Sequence, residues 1–85
     1  MVPVVIYTRG YCSYCTWAKE LLRRKGVAFD EIDVTYHQER RAEMIRRANG
    51  STTTPQIFIG WTHVGGCDEL YALERTGRLD ALLAA

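Results

Sequence analysis

Val4-Val5-Ile6-Tyr7-Thr8-Arg9-Gly10-Tyr11-Cys12-Ser13-Tyr14-Cys15-Thr16-Trp17-Ala18-Lys19-Glu20-Leu21-Leu22-Arg23-Arg24-Lys25 joins three kinds of sequence. Residues 3–8 are a nearly continuous apolar run, the pattern of a central strand buried on both faces. From Ser13 to about Lys25 the pattern is helical, with Cys15, Ala18 and Leu22 on one face and Trp17 and Leu21 beside it. Arg23, Arg24 and Lys25 suit the negative end of that helix, and Gly26 stops it. Strand, loop and helix therefore meet at Cys12-Ser13-Tyr14-Cys15, and Cys12 falls at or near the first helical residue. Unpaired N–H groups and the positive end of the macrodipole favour an anion there. A thiolate is such an anion, and it is the reactive form of cysteine. Cys15, one turn on, lies on the same side and within reach of a disulfide. The pair reads as a redox dithiol.

Two blander readings compete. As a structural staple, a four-residue loop would give only about 2 kcal/mol, less than half the figure for a ~100-residue loop. As a zinc half-site, the pair would need further ligands. Beyond it stand Cys67, His37 and His63, with no second C-x-x-C and no closely spaced histidine pair.

Residues 1–85 are expected to form one domain, near the lower end of what folds without staples or metal. A hydrophobic fraction of 47% permits a compact core. Eleven basic residues against ten acidic ones give a net charge of +1, so nothing points to nucleic acid or a membrane surface. No apolar stretch approaches ~18 residues, and Met1-Val2-Pro3 leads into a strand rather than a signal peptide. The expected compartment is the cytoplasm, where persistent disulfides are rare. An odd count of three cysteines also fits reactive thiols better than a disulfide framework.

A second strand is expected around Phe29 to Asp33, with Phe29 and Ile32 inward, and a second helix over about Tyr36 to Ala48. Met44, Ile45 and Ala48 face its core side, and Asn49-Gly50 ends it. Ser51-Thr52-Thr53-Thr54-Pro55 is turn-forming and leads into the strand Gln56-Ile57-Phe58-Ile59. After Gly60, Trp61-Thr62-His63-Val64 reads as a return strand, with Trp61 packed at the edge. Cys67 opens a third helix through about Thr76, and Leu79, Leu82 and Leu83 form a short amphipathic turn. The order is β-α-β-α-β-β-α: a parallel, right-handed first unit followed by a hairpin. A C-x-x-C beside such a βαβ pattern reads as thioredoxin-like.

Taken together, Thr8-Arg9, Cys12-Ser13-Tyr14-Cys15, Thr54-Pro55-Gln56-Ile57-Phe58-Ile59 and Gly65-Gly66-Cys67-Asp68-Glu69-Leu70 resemble the short bacterial dithiol glutaredoxins over nearly the whole chain. The resemblance implies a thioredoxin-like α/β fold, a four-stranded mixed sheet flanked by three to four helices. It implies glutathione-dependent reduction of protein disulfides and glutathione mixed disulfides, with glutathione reductase and NADPH as the indirect electron source and a monomer as the working unit. Carried over by position, Cys12 matches the nucleophile and Cys15 the resolving thiol. Arg9 matches a basic position, more often Lys, that holds the glycine carboxylate of glutathione, and Tyr14 an aromatic lining the groove. Thr54 matches the residue whose backbone pairs with the cysteinyl part of glutathione, and Pro55 a cis proline. Gly66, Cys67 and Asp68 match the segment that binds the γ-glutamyl end. Ser13 stands where many members have Pro, and Thr54 where many have Val.

Physical chemistry agrees with that transfer. Glutathione is an extended peptide with two carboxylates and an ammonium, so it needs a backbone edge and an anion site at each end. Thr54, before Pro55, is biased to extended geometry. The Gly66-Cys67-Asp68 amides at a helix start suit a carboxylate, and Asp68 can cap that helix and meet an ammonium. The Tyr14 and Cys15 amides and the charge of Arg9 are expected to hold the Cys12 thiolate. Cys67 reads as a packed small residue, His37 and His63 as surface residues, and the Arg40-Arg41 and Arg46-Arg47 pairs as a solvated helix face. Two rivals remain: a dimeric [2Fe–2S] carrier ligated by Cys12 and glutathione, and a redoxin reduced by thioredoxin reductase, against which Gly65-Gly66-Cys67-Asp68 argues.

Overall fold

The computed structural model describes residues 2–85. β1 (Val4–Thr8), α1 (Ser13–Arg24), β2 (Asp30–Asp33), α2 (Gln38–Arg47), β3 (Gln56–Ile59), β4 (Thr62–Gly65), α3 (Cys67–Arg75) and α4 (Arg78–Ala84) follow in that order. The sheet order is β2-β1-β3-β4. β1 pairs parallel to β2 with Ile6 opposite Glu31, and antiparallel to β3 with Ile6 opposite Ile57. β3 and β4 form the hairpin, with an irregularity at Ile57/Phe58.

Alternation along the two central strands divides the apolar residues between two faces. Val4, Ile6, Ile57 and Ile59 pack with Ala18, Leu21 and Leu22 of α1, Leu70 of α3, and Leu79 and Leu83 of α4. Tyr7 and Phe58 face the other way, against Val34 and, from the α2 side, Met44 and Ala48. Phe29 and Ile32 are both inward as expected, but on opposite faces. Buried on both sides, β1 has no solvent face, which explains its unbroken apolar run.

Four boundaries or placements differ from the sequence reading. α2 begins at Gln38, not Tyr36, which is exposed. The return strand starts at Thr62, because Gly60 (φ +58°) makes a tight turn that leaves Trp61 fully exposed rather than packed at the edge. The terminal leucines form a true helix, α4. It begins after Gly77 (φ +75°) and is tied to α1 by Lys25, whose ammonium bridges Glu74 (2.6 Å) and Asp80 (2.9 Å). Arg47 is not simply solvated: its guanidinium lies 4.2 Å from the Phe58 ring centroid and donates to the Tyr7 hydroxyl (2.8 Å). The Tyr7 hydroxyl in turn donates to Glu43. Burial and the Glu43 bond push the Tyr7 phenol up, against the opposing pull of Arg47. Among the described residues no helix is long and apolar enough to cross a membrane.

The edge strand β2 carries a polar clasp. Glu31 accepts from the buried Thr8 hydroxyl (2.7 Å) and from Lys19 (3.0 Å). Burial pushes its carboxyl up, but those two donors outweigh burial and hold it below the usual carboxylate range. A depressed folded-state pKa stabilises the fold above the unfolded value and loses that stabilisation as pH falls through the folded one. Glu31→Gln is expected to cost under about 1 kcal/mol at pH 7, given a side chain about one-third exposed. The deficit should shrink as pH falls below the unfolded value of about 4.3. Urea denaturation of both proteins at pH 7 and pH 3 measures it; an equal deficit at both would remove the charge from the account.

Candidate functional site

Cys12 is the N-cap of α1, in extended geometry (φ −122°, ψ 103°). It is bonded to Cys15 as a disulfide with Cα atoms 5.2 Å apart. The two sulfurs are not equivalent: Cys15 is 2% exposed, whereas Cys12 is only part-buried. Cys12 is thus the sulfur an outside molecule can reach, and Cys15 can reach only Cys12. The Cys15 amide donates to Cys12 Sγ (3.2 Å). Among the described residues the Tyr14 amide makes no bond to it in this disulfide form. Instead, Thr54 supplies two contacts across the chain, its hydroxyl and its carbonyl each 3.8 Å from the same sulfur. Tyr11, in the loop before the dithiol, sits at φ +55° with its ring fully exposed, a conformation uncommon for a residue with a Cβ.

Next to this disulfide lies an open cavity of about 820 Å³. Every residue matched by position to the glutathione site lines it: Arg9, Tyr14, Thr54, Pro55, Gly66, Cys67 and Asp68. Four segments distant in sequence, the loops after β1 and before β3 and the starts of α1 and α3, are therefore brought to one place. The Thr54–Pro55 bond is cis. The β1–β3 ladder begins only at Gln56, so the Thr54 N–H has no partner among the described residues. Tyr14 stands half-exposed at the cavity wall, edge-on to the Trp17 ring at 5.3 Å. Cys67 is 7% exposed, packed into the core as expected, and burial pushes its thiol up, with the Asp68 and Glu69 charges adding to the effect. A thiol held protonated in this way is a poor nucleophile.

The start of α3 differs from its expected design. Asp68 does not cap the helix; Glu69 does, its carboxylate accepting from the Gly66 N–H at 2.6 Å. The Gly66 amide is therefore occupied, and the first-turn amides of Cys67 and Asp68 are the ones left free to meet an anion. Asp68 itself is exposed at the cavity. The signal was present: Glu three residues after the N-cap is the acidic half of a capping box.

Three further residues join the site unannounced. Arg41, read as part of a solvated face, lines the cavity together with Arg9 and Thr35. Gln56 is buried, and its amide donates to Ser51 Oγ (3.0 Å), Thr53 O (3.0 Å) and Thr53 Oγ1 (3.2 Å), fixing the loop that presents Thr54. Its Oε1 is 2.7 Å from His63 Nε2, which must carry the proton because an amide oxygen only accepts. His63 stacks on Phe58 (4.9 Å, 24°), so it is a partnered, half-buried residue and not a free surface one. His37, in contrast, is exposed beside Glu39, as expected.

Residues 4–64 match the glutaredoxin family model. The chain is 65% identical to a glutaredoxin of Pseudomonas aeruginosa over 85 residues, the full length of both. It is 53% identical to glutaredoxin 3 of Escherichia coli K12 over 83 residues, 98% of this chain and 99% of that one. Among solved structures, the glutaredoxin of Brucella melitensis superposes with a TM-score of 0.85 at 61% identity, covering 98% of this chain and 89% of that one. Buckwheat glutaredoxin in complex with glutathione gives 0.87 at 30% identity, covering 98% and 77%. The fold is thioredoxin-like, as the element order and the C-x-x-C implied.

Proposed function

The chain belongs to the glutaredoxin family, and on that premise we propose that it is a glutathione-dependent thiol–disulfide oxidoreductase acting on protein disulfides and glutathione mixed disulfides. The observation that carries this reading is one reachable sulfur beside a cavity with opposite chemistry at its two ends. Arg9, after β1, gives one end a cation for the glycine carboxylate, and Arg41 adds a second cation to the same cavity. The free Cys67 and Asp68 amides and the Asp68 carboxylate give the other end partners for the γ-glutamyl carboxylate and ammonium. Thr54, with an unpaired N–H, lies between them and against Cys12. The glutathione held by the buckwheat relative supports the same reading.

Cys12 thiolate attacks the glutathione sulfur of a mixed disulfide, forming Cys12–S–SG and releasing the substrate thiolate. A second glutathione thiolate attacks that bond, leaving oxidised glutathione and regenerating Cys12. With a protein disulfide, Cys15 loses its proton and attacks the Cys12–substrate bond, giving the Cys12–Cys15 disulfide present here. Two glutathiones then restore the dithiol. A thiol whose pKa falls from ~8.5 to ~6.5 gains about 24-fold in thiolate at pH 7 but loses about 8-fold in intrinsic nucleophilicity. The net gain in attack is only about threefold. The larger benefit lies in the second step, where Cys12 is the leaving group.

A coupled assay with glutathione, glutathione reductase, NADPH and a small glutathione mixed disulfide tests the reading; no protein-dependent NADPH oxidation would reject it. In the same assay Arg41→Ala is expected to raise KM for the mixed disulfide about 3–10-fold with kcat little changed, as for an exposed ion pair worth about 1 kcal/mol. An unchanged KM would return Arg41 to the solvated face. The [2Fe–2S] carrier is the weaker reading. Its cluster would take from each chain one reachable thiol, Cys12, with glutathione as the second ligand. The exchange reaction has both its protein sulfurs in place.

A further inference from the structure

Thr54 contributes more than its backbone. Among the described residues its hydroxyl has one hydrogen-bond partner, Cys12 Sγ. Its carbonyl lies at the same 3.8 Å from that sulfur. The two groups favour opposite protonation states: the carbonyl accepts from a Cys12 thiol and repels a thiolate, whereas the hydroxyl donates to the thiolate. Removing the hydroxyl would leave the Cys15 amide as the one remaining donor against the carbonyl. The charged groups that line the cavity beside the sulfur are Arg9 from the β1 loop, Arg41 from α2, and Asp68 and Glu69 from α3. The Cys15 amide (3.2 Å) is the other donor, and any residue at position 15 would supply it.

We propose that the Thr54 hydroxyl is the second hydrogen-bond donor to the Cys12 sulfur, and that this side chain sets the acidity and redox balance of the dithiol. In the disulfide the sulfur is neutral and a weak acceptor; in the reduced protein it is an anion, for which the same donor is worth more. Reduction of the disulfide by two glutathiones yields Cys12 thiolate, Cys15 thiol, one released proton and oxidised glutathione. The hydroxyl therefore stabilises the reduced side of that equation and makes the protein easier to reduce. The inference rests on the exchange chemistry proposed above, but its test does not need glutathione turnover.

Thr54→Val keeps the shape and deletes the donor; Thr54→Ser keeps the donor and deletes the methyl. Each reduced protein is alkylated with iodoacetamide across a pH series, and the rate at Cys12 is read by peptide mass. In Thr54→Val the midpoint should rise by about one pH unit, a tenfold loss in the thiolate-to-thiol ratio, with Thr54→Ser within about twofold of wild type. Equilibrium against a glutathione redox buffer should place Thr54→Val about 30 mV more reducing, the same tenfold converted for a two-electron couple. A wild-type profile in Thr54→Val overturns the proposal, since the hydroxyl would then be idle. A Thr54→Ser profile displaced as far as that of Thr54→Val also overturns it, since packing of the methyl would be the cause. A protein that shows the predicted profiles but no turnover with glutathione rejects the glutathione reading and leaves this one standing.

Discussion

Cys12→Ser is expected to abolish reduction of every disulfide substrate, a loss of at least about 10³-fold to the uncatalysed background. A serine hydroxyl is not ionised at neutral pH and cannot form the mixed disulfide on which both routes depend. Cys15→Ser separates the routes. It should keep deglutathionylation within a few-fold, because the two-glutathione cycle never uses Cys15, and lose the reduction of protein disulfides that require an internal second thiol. The geometry makes this split sharp: Cys15 is buried and bonded to Cys12, so it has no independent access to substrate. Assaying both variants on a glutathione mixed disulfide and on a disulfide-bonded protein reads the outcome. Equal losses on both substrates in Cys15→Ser would mean that the single-thiol route does not operate.

The largest effect on stability is expected from Gly65→Ala, at the end of β4. Gly65 has φ +109°, a region that a residue with a Cβ rarely enters, at a cost of about 1–3 kcal/mol. A Cβ built there falls 2.9 Å from Glu69 Oε1 and 3.1 Å from Glu69 Cγ. Glu69 would have to leave the Gly66 N–H that it caps, which adds about 1 kcal/mol. Together about 2–4 kcal/mol is a large share of the 5–15 kcal/mol typical of a folded domain, and corresponds to a fall in Tm of roughly 10–30 °C at this size. Because Glu69 also fixes the start of α3, the surviving folded protein should bind glutathione more weakly, since the Cys67 and Asp68 amides shift with it. Thermal unfolding followed by circular dichroism tests the claim, and a Tm within about 3 °C of wild type would show that the turn accommodates a side chain without strain. Glu69→Ala in the same experiment isolates the capping contribution, expected near 1 kcal/mol.

Much of this protein was legible before any coordinates, for a common reason. Strand β1, helix α1 and the cysteines between them are specified by local rules: an apolar run, a 3.6-residue period, a glycine stop and a helix start that favours an anion. Those rules act over a few residues, so they survive being read one stretch at a time. The pairing of Cys12 with Cys15 is local for the same reason, since one helical turn carries the second sulfur back beneath the first.

What tertiary structure alone decided is every contact that depends on which strand lies beside which. Arg41 looks like one of a pair on a charged helix face until the packing of α2 brings it to the cavity of Arg9. His63 and Gln56 are seven residues apart on the two arms of a hairpin, and only the antiparallel β3–β4 register brings imidazole and amide together to hold the Ser51–Thr53 loop. Trp61 reads as strand, yet the tight turn at Gly60 puts it in solvent. The Thr54 hydroxyl meets Cys12 across 42 residues of chain, where no period or spacing could have aimed it. The sequence by itself determined the dithiol and the elements that carry it, because backbone hydrogen bonding and amphipathic period are local. The tertiary structure decided which side chains surround the nucleophile, because sheet order and the closure of distant loops are not.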